Sequence, residues 1–215
     1  MLPFPDPNSI SLADRWASIE GEIKLQTSDA RDNFYRGSYQ YILAHFEHCQ
    51  FDDTERACQA FWQAMILVYS WMGRGLLTDF SSPRERYVQL CGSISCVRQT
   101  GEIDLETLDK LVQLCNASVI ATSKFLHFLK PEAFAIWDSR VYSSIFEKKA
   151  SHYRLNDPSN LLAYGTWIKS LDIDAATLEA VTSHLGIAKN RGVLRSKEYI
   201  LFMSGGSGEV PEETT

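Results

Sequence analysis

A lysine and an aspartate near the middle of the chain are the residues best suited to chemistry. Lys124 precedes a dense apolar set, and Asp138 directly follows the apolar segment Phe134–Trp137. An unprotonated amine can attack an electrophilic carbon and form a Schiff base. A carboxylate can stabilise positive charge that develops on a nearby sugar. The same residue types also serve as a surface lysine and a helix cap, so a purely structural interpretation stays open.

The elements that would position these two residues are a helix, a loop and a second helix. Pro131 ends the first helix, because proline lacks the amide that the next turn needs. Asp138–Val141 has the pattern of an N-cap followed by a first helical turn. The helix dipole and the free amides there favour an ionised aspartate. An apolar wall around Lys124 would favour its unprotonated form. The side chains expected to form that wall are Phe125, Phe128 and Trp137.

The stretch Ser118–Val141 resembles the lysine–aspartate segment of the helix-hairpin-helix DNA glycosylases, and most closely the 8-oxoguanine DNA glycosylase branch. In that family a lysine opens the second hairpin helix and a catalytic aspartate caps the following helix. Lys124 and Asp138 stand at the matching positions. The family hairpin is usually glycine-rich before the lysine, whereas Asn116–Thr122 contains no glycine. The spacing of 14 residues from lysine to aspartate is also shorter than usual.

The resemblance implies a DNA glycosylase, with or without AP lyase activity, that excises a damaged or modified base from double-stranded DNA. Lys124 and Asp138 would be its catalytic residues, and no metal or cofactor is expected. Trp137 could stack on an extruded base, Arg140 could bind a phosphate, and His127 is a third candidate for substrate binding. Each of these three residues also has a purely structural interpretation: a core tryptophan, an arginine paired with a surface acid, and a packed or surface histidine.

The composition of the chain argues against some classes of function. A net charge of −6 over 215 residues argues against a protein that coats nucleic acid non-specifically. Basic residues are concentrated in the middle of the chain, which fits either a DNA-facing patch or solvated helix faces. A non-enzymatic helical module that binds DNA or a protein is therefore the alternative function. A metal-dependent nuclease is disfavoured, because the sequence has neither clustered carboxylates nor a His-rich motif.

Apolar residues recur at helical spacing along the chain, and no segment alternates apolar and polar residues like a strand. The pattern predicts an all-α fold of nine or ten helices. The resemblance to the glycosylases implies that these helices form two lobes. We expect one helical domain over residues 1–203, divisible into lobes 1–110 and 111–203, and a flexible acidic tail over 204–215.

The expected location is cytoplasmic. No window approaches the apolar length of a membrane span, and the N-terminus lacks the pattern of a secretory signal. The five cysteines are scattered and odd in number, which favours reduced thiols and a soluble intracellular protein.

Overall fold

The computed structural model describes residues 2–26, 30–51, 54–73 and 84–205. Within these ranges the chain forms eleven α-helices and one short 3-10 helix, and no β-strand. The predicted all-α class is confirmed. The helices are α1 (Leu12–Gln26), α2 (Ala30–His48), α3 (Thr54–Trp71), α4 (Arg84–Thr100), α5 (Leu105–Leu114), α6 (Val119–Leu129), α7 (Ser139–Phe146), α8 (His152–Leu155), α9 (Pro158–Ser170), α10 (Ala175–Leu185) and α11 (Lys189–Ser204).

The described ranges contain eleven α-helices, whereas the sequence pattern predicted nine or ten in all. The shortest, α8, has four residues, and one turn is too short to show apolar periodicity. Helix α9 begins at Pro158, because Asp157 caps it and proline fits the first helical position. The predicted tail lies outside the described residues from position 206 onward.

Side-chain caps explain where the helices of the second half begin. Each of α5 to α10 starts after a residue whose side-chain oxygen accepts a hydrogen bond from a backbone amide of the first turn. These capping residues are Asp104, Ser118, Asp138, Ser151, Asp157 and Asp174. The predicted cap at Asp138 is therefore confirmed. By contrast, α11 begins after Ala188 and has no side-chain cap.

The apolar faces of these helices meet in a hydrophobic cluster that includes residues from Leu12 in α1 to Leu201 in α11. The dense apolar set that follows Lys124 in α6 is buried in this cluster: Phe125, Leu126, Phe128 and Leu129. The N-terminal arm also lies against this body. Its Phe4 ring packs 5.4 Å from the Trp167 ring, and the Trp167 indole donates a hydrogen bond to the Pro5 carbonyl. No helix in the described ranges is long and apolar enough to cross a bilayer.

Long basic side chains satisfy the free carbonyls at the C-terminal ends of three helices. Arg98 donates to carbonyls at the end of α2, Lys130 to the end of α4, and Lys197 to the end of α9. A cation there bonds carbonyls that have no partner within the helix and interacts favourably with the helix dipole. Arg98 and Lys130 belong to the basic middle of the chain, so part of that charge is structural.

The turn between α5 and α6 adopts a backbone conformation that usually needs glycine. Asn116 has φ 54° and Ala117 has φ 51°, both in the left-handed region. A residue with a Cβ is strained there by roughly 1–2 kcal/mol, and asparagine tolerates the conformation better than alanine. The hairpin without glycine thus keeps a conformation that glycine favours.

Replacing exposed Ala117 with glycine should relieve that strain. Glycine loses roughly 0.5–1 kcal/mol more chain entropy on folding, so we expect Ala117→Gly to raise the free energy of unfolding by up to about 1 kcal/mol. The matched control, Ala180→Gly inside α10, should lower it by about 1 kcal/mol. Urea titrations of both variants give the comparison, and equal losses at the two positions would contradict the left-handed turn.

Candidate active site around Asp138 and Glu198

The loop between α6 and α7 returns to α6, and this brings Lys124 and Asp138 close together in space. The Trp137 N–H donates a hydrogen bond to Ser123 Oγ at 3.0 Å, and this hydroxyl lies 3.1 Å from the Trp137 carbonyl oxygen. Ser123 and Trp137 are the immediate predecessors of Lys124 and Asp138. The two candidate residues therefore leave the backbone at neighbouring points, although 14 positions separate them in sequence.

Asp138 is fixed by the helix that it caps. Its Oδ1 accepts hydrogen bonds from the N–H groups of Arg140 and Val141, both at 3.0 Å. The residue is only 9% exposed. These two bonds fix the Asp138 side chain at the edge of the core.

Lys124 is half-buried, and one of its neighbours is an aromatic ring that was not predicted. Its Nζ lies 5.5 Å from the ring centroid of Trp71, at the end of α3. The residues predicted to form an apolar wall, Phe125, Phe128 and Trp137, are all buried in the core, and their contact with Lys124 stays a prediction. Phe125, for example, packs edge-on against Phe61. The face of Trp71 provides a site where an ammonium group is attracted to the ring.

A buried ion pair on α11 lies next to these residues, and the sequence analysis missed it. Glu198 is 1% exposed and accepts a hydrogen bond from Arg195, one turn earlier on the same helix. Burial raises the pKa of Glu198 to about 7; Arg195 opposes this shift, Asp138 adds to it, and Lys124 weakly opposes it. Lys124 and Asp138 are therefore both within electrostatic range of one carboxylate.

A signal for Glu198 was present in the sequence. It lies four residues after Leu194 and three before Leu201, so the three side chains share one helix face. Both leucines are buried. A glutamate within an apolar stripe must be either exposed by local geometry or paired. Its partner and its distance from Asp138 depend on how α11 packs against α7, which periodicity does not report.

Two polar atoms at or near this ion pair have no hydrogen-bond partner among the residues that the structure describes. They are the hydroxyl of Tyr164, on α9, and Nε of Arg195, both of them buried. Burial raises the pKa of Tyr164 well above its usual range, and the charges of Glu198 and Asp138 raise it further. Buried polar groups normally find partners, so these two mark incompletely satisfied polar space beside the two carboxylates.

His127 is a core residue in this conformation. It is 0% exposed, its Nδ1 lies 2.8 Å from the Phe134 carbonyl, and its Nε2 lies 2.7 Å from the Tyr39 hydroxyl. Nδ1 must donate to the carbonyl, so Nε2 of the neutral ring accepts from Tyr39. Burial and, secondarily, the charge of Arg195 lower the pKa of His127 to about 3. Neither nitrogen is free to contact a substrate.

The other two predicted substrate-binding residues occupy different environments. Trp137 is fully buried, and its indole N–H donates to the Leu155 carbonyl at 3.2 Å. Its ring is therefore not available to stack on an extruded base in this conformation. Arg140 is partly exposed, and its guanidinium lies 4.2 Å from the ring centroid of Phe202. Of the three, Arg140 is the one that solvent reaches.

Comparisons with known proteins add no relative. No protein-family model matches the sequence, and neither a curated protein nor a solved structure is significantly similar to it. Within the described ranges, no group of three or more His, Cys, Asp or Glu side chains is arranged to hold a metal ion. The functional argument therefore depends on the geometry around Asp138 and Glu198.

The link between Ser123 and Trp137 can be tested by stability. Ser123→Ala would leave the buried Trp137 N–H without a partner, so we expect the free energy of unfolding to fall by about 1–3 kcal/mol. The matched control is Ser18→Ala, because the Ser18 hydroxyl is exposed and donates a hydrogen bond to the Arg15 carbonyl within the same helix. That change should stay within about 0.5 kcal/mol. Equal effects at both positions, measured by urea titration, would show that the link does not hold the loop.

Proposed function

We propose that the chain is a DNA glycosylase that removes a damaged or modified base, with Lys124 as the nucleophile and Asp138 as the stabilising anion. The observation that carries the proposal is the hydrogen-bonded link between Ser123 and Trp137, which brings the backbones of Lys124 and Asp138 together. An amine and a carboxylate that adjacent helices bring together in this way are a combination suited to attack on a sugar carbon.

The proposed chemistry begins at C1′ of the target nucleotide. The Lys124 amine forms a bond to C1′ while the bond from C1′ to the base breaks. The electron pair of the broken bond leaves with the base. Positive charge that develops on the sugar during this step is stabilised by the Asp138 carboxylate. The sugar ring then opens: the bond from C1′ to the ring oxygen breaks, that oxygen takes a proton from the attached nitrogen, and the nitrogen forms a double bond to C1′. The product is a Schiff base on Lys124, from which strand cleavage can follow.

The hairpin between α5 and α6 supports DNA as the substrate class. Its left-handed residues Asn116 and Ala117 give the turn a glycine-like conformation before the helix that carries Lys124. Two amides of that helix are already bonded, because Val119 N–H donates to Asn156 and Ala121 N–H donates to Ser118. A phosphate bound at this turn would therefore use the remaining amide at Ile120 or compete with Asn156.

A non-enzymatic helical module that binds DNA or a protein is the second candidate. The observation that favours it is the capping role of Asp138, since two amide bonds are a sufficient structural reason for an aspartate there. The enzyme and the module differ in one respect that can be measured: only the enzyme forms a covalent intermediate.

Borohydride trapping on a panel of duplexes, each with one modified base, tests the enzyme. We expect a covalent adduct that Lys124→Gln abolishes, with little change in stability, because the half-buried lysine contributes mainly at its polar end. Asp138→Asn should slow base release by about 10²–10³-fold, the range for losing one electrostatic group, while still capping α7.

The control for these variants is Lys110→Gln, because Lys110 is exposed and pairs with Glu106, one turn earlier on the same helix. It should leave adduct formation unchanged. Circular dichroism and urea titration establish that each variant is folded. A substrate cleaved equally well by the wild type and by the double variant of Lys124 and Asp138 would contradict the proposal.

A further inference from the structure

Two cysteines on neighbouring helices lie side by side. Cys58 is on α3 and Cys91 is on α4, and their Sγ atoms are 3.9 Å apart. Both thiols are reduced in this structure. A hydrogen bond between the two sulfur atoms accounts for the distance, and reduced cysteines also pack as small apolar residues. The same proximity makes the pair suitable for a covalent bond, although 33 positions separate the two residues in sequence.

The geometry leaves a short path to a disulfide. A disulfide needs an Sγ–Sγ distance of about 2.05 Å, so the two sulfur atoms must approach each other by about 1.9 Å. Rotation of a cysteine side chain from one staggered rotamer to the next moves its sulfur atom further than this. Helices α3 and α4 already pack directly against each other. Closing the bond therefore needs side-chain rotation and a small adjustment of two helices that are in contact.

The two thiols differ in their access to solvent. Cys58 is half-buried, whereas Cys91 is 3% exposed, so an oxidant in solution reaches Cys58 first. Burial, and secondarily the neighbouring Cys58 sulfur, raise the pKa of Cys91 to about 12. Cys91 therefore keeps its proton at neutral pH and can donate a hydrogen bond to a Cys58 thiolate, which is the reactive form of the residue. The pair thus has an accessible sulfur atom and a second one held behind it.

We propose that Cys58 and Cys91 form an oxidative modification site, at which hydrogen peroxide converts the two thiols into one disulfide. The Cys58 thiolate attacks the peroxide, an S–O bond forms and the O–O bond breaks. The hydroxide released takes up the proton that Cys58 had lost, and a sulfenic acid remains on Cys58. The Cys91 sulfur then attacks the Cys58 sulfur, an S–S bond forms and the S–O bond breaks. The departing hydroxide leaves as water with the Cys91 proton. The two sulfur atoms together lose two electrons, and the peroxide accepts them.

The other three cysteines of the chain separate proximity from exposure. Cys96 is the most exposed of the five cysteines and lies on α4, five positions after Cys91. Cys49 and Cys115 are both buried. If exposure alone decided the reaction with peroxide, Cys96 would be the main product site. If proximity decides it, the product is the link between Cys58 and Cys91.

A disulfide at this site would join the two helices that hold the side chains of α6. The Lys124 Nζ lies 5.5 Å from the ring centroid of Trp71, at the end of α3, and the Lys130 Nζ donates to carbonyls at the end of α4. Oxidation should raise the urea concentration at which the chain unfolds, because the closed loop restricts the unfolded chain. This modification goes beyond the proposed function, since it needs neither DNA nor a reactive Lys124.

Peptide mapping after oxidation tests the site directly. The full chain with Cys96→Ser is treated with hydrogen peroxide in the absence of DNA, alkylated and digested with trypsin. Trypsin leaves Cys58 in the fragment 57–74 and Cys91 in the fragment 87–98, and with Cys96→Ser each fragment carries one cysteine. We expect the two fragments to be joined, and a dithiol reductant to separate them. Cys58→Ser and Cys91→Ala should each abolish the joined product.

Repeating the oxidation in urea shows whether the fold brings the two thiols together. We expect the link to form at least about tenfold faster in the folded chain than in the unfolded chain, because the fold holds the reacting atoms near each other. This comparison needs no variant at Cys58 or Cys91, so it stays decisive if those variants fail to fold. A link that forms no faster in the folded chain would overturn the site. Sulfinic or sulfonic acid on Cys58 without any link would overturn it too. A link that does not raise the urea midpoint would overturn the expected stabilisation of α3 against α4.

Discussion

Burial of charge beneath α11 is the constraint on which the arrangement of this protein depends. Removing an ion from water costs several kcal/mol even after relaxation, so a buried carboxylate and a buried guanidinium must satisfy one another. Glu198 and Arg195 do so within one turn of helix, and the Tyr39 ring covers the guanidinium. Helix α11 can bury this ion pair only where other helices surround it. It packs against α1, α7, α9 and α10.

The two carboxylates near α11 are held by different interactions. Asp138 accepts two amide hydrogen bonds at the start of α7, which fix its side chain. Glu198 is buried and accepts a hydrogen bond from Arg195, and burial raises its pKa to about 7.

Local sequence patterns predicted the parts of this site that local interactions determine. The cap at Asp138 was predictable because it needs only the first turn of its own helix, and the burial of Phe125 follows from periodicity. The contact between Lys124 and Trp71 was not predictable, since it joins α6 to the end of α3. Glu198 was missed because its proximity to Asp138 is set by packing between distant helices. Only its pairing with Arg195 is local.

Residue type alone also failed to predict the left-handed turn at Ala117 and the core positions of His127 and Trp137. The absence of glycine suggested a departure from the hairpin, yet the backbone adopts the conformation that glycine favours. His127 and Trp137 were predicted to contact substrate, yet both rings are buried inside the protein. Residue type near a site is weaker information than the hydrogen bonds that the residue already makes.

Peptide mapping of a borohydride-reduced complex tests the central claim most directly. The chain would be incubated with a substrate duplex, reduced and digested, and the peptide that carries the sugar remnant would be sequenced by mass spectrometry. The account predicts a single modified residue, Lys124, next to the buried centre of Asp138 and Glu198. Modification of another lysine, or of several exposed lysines to similar extents, would contradict it.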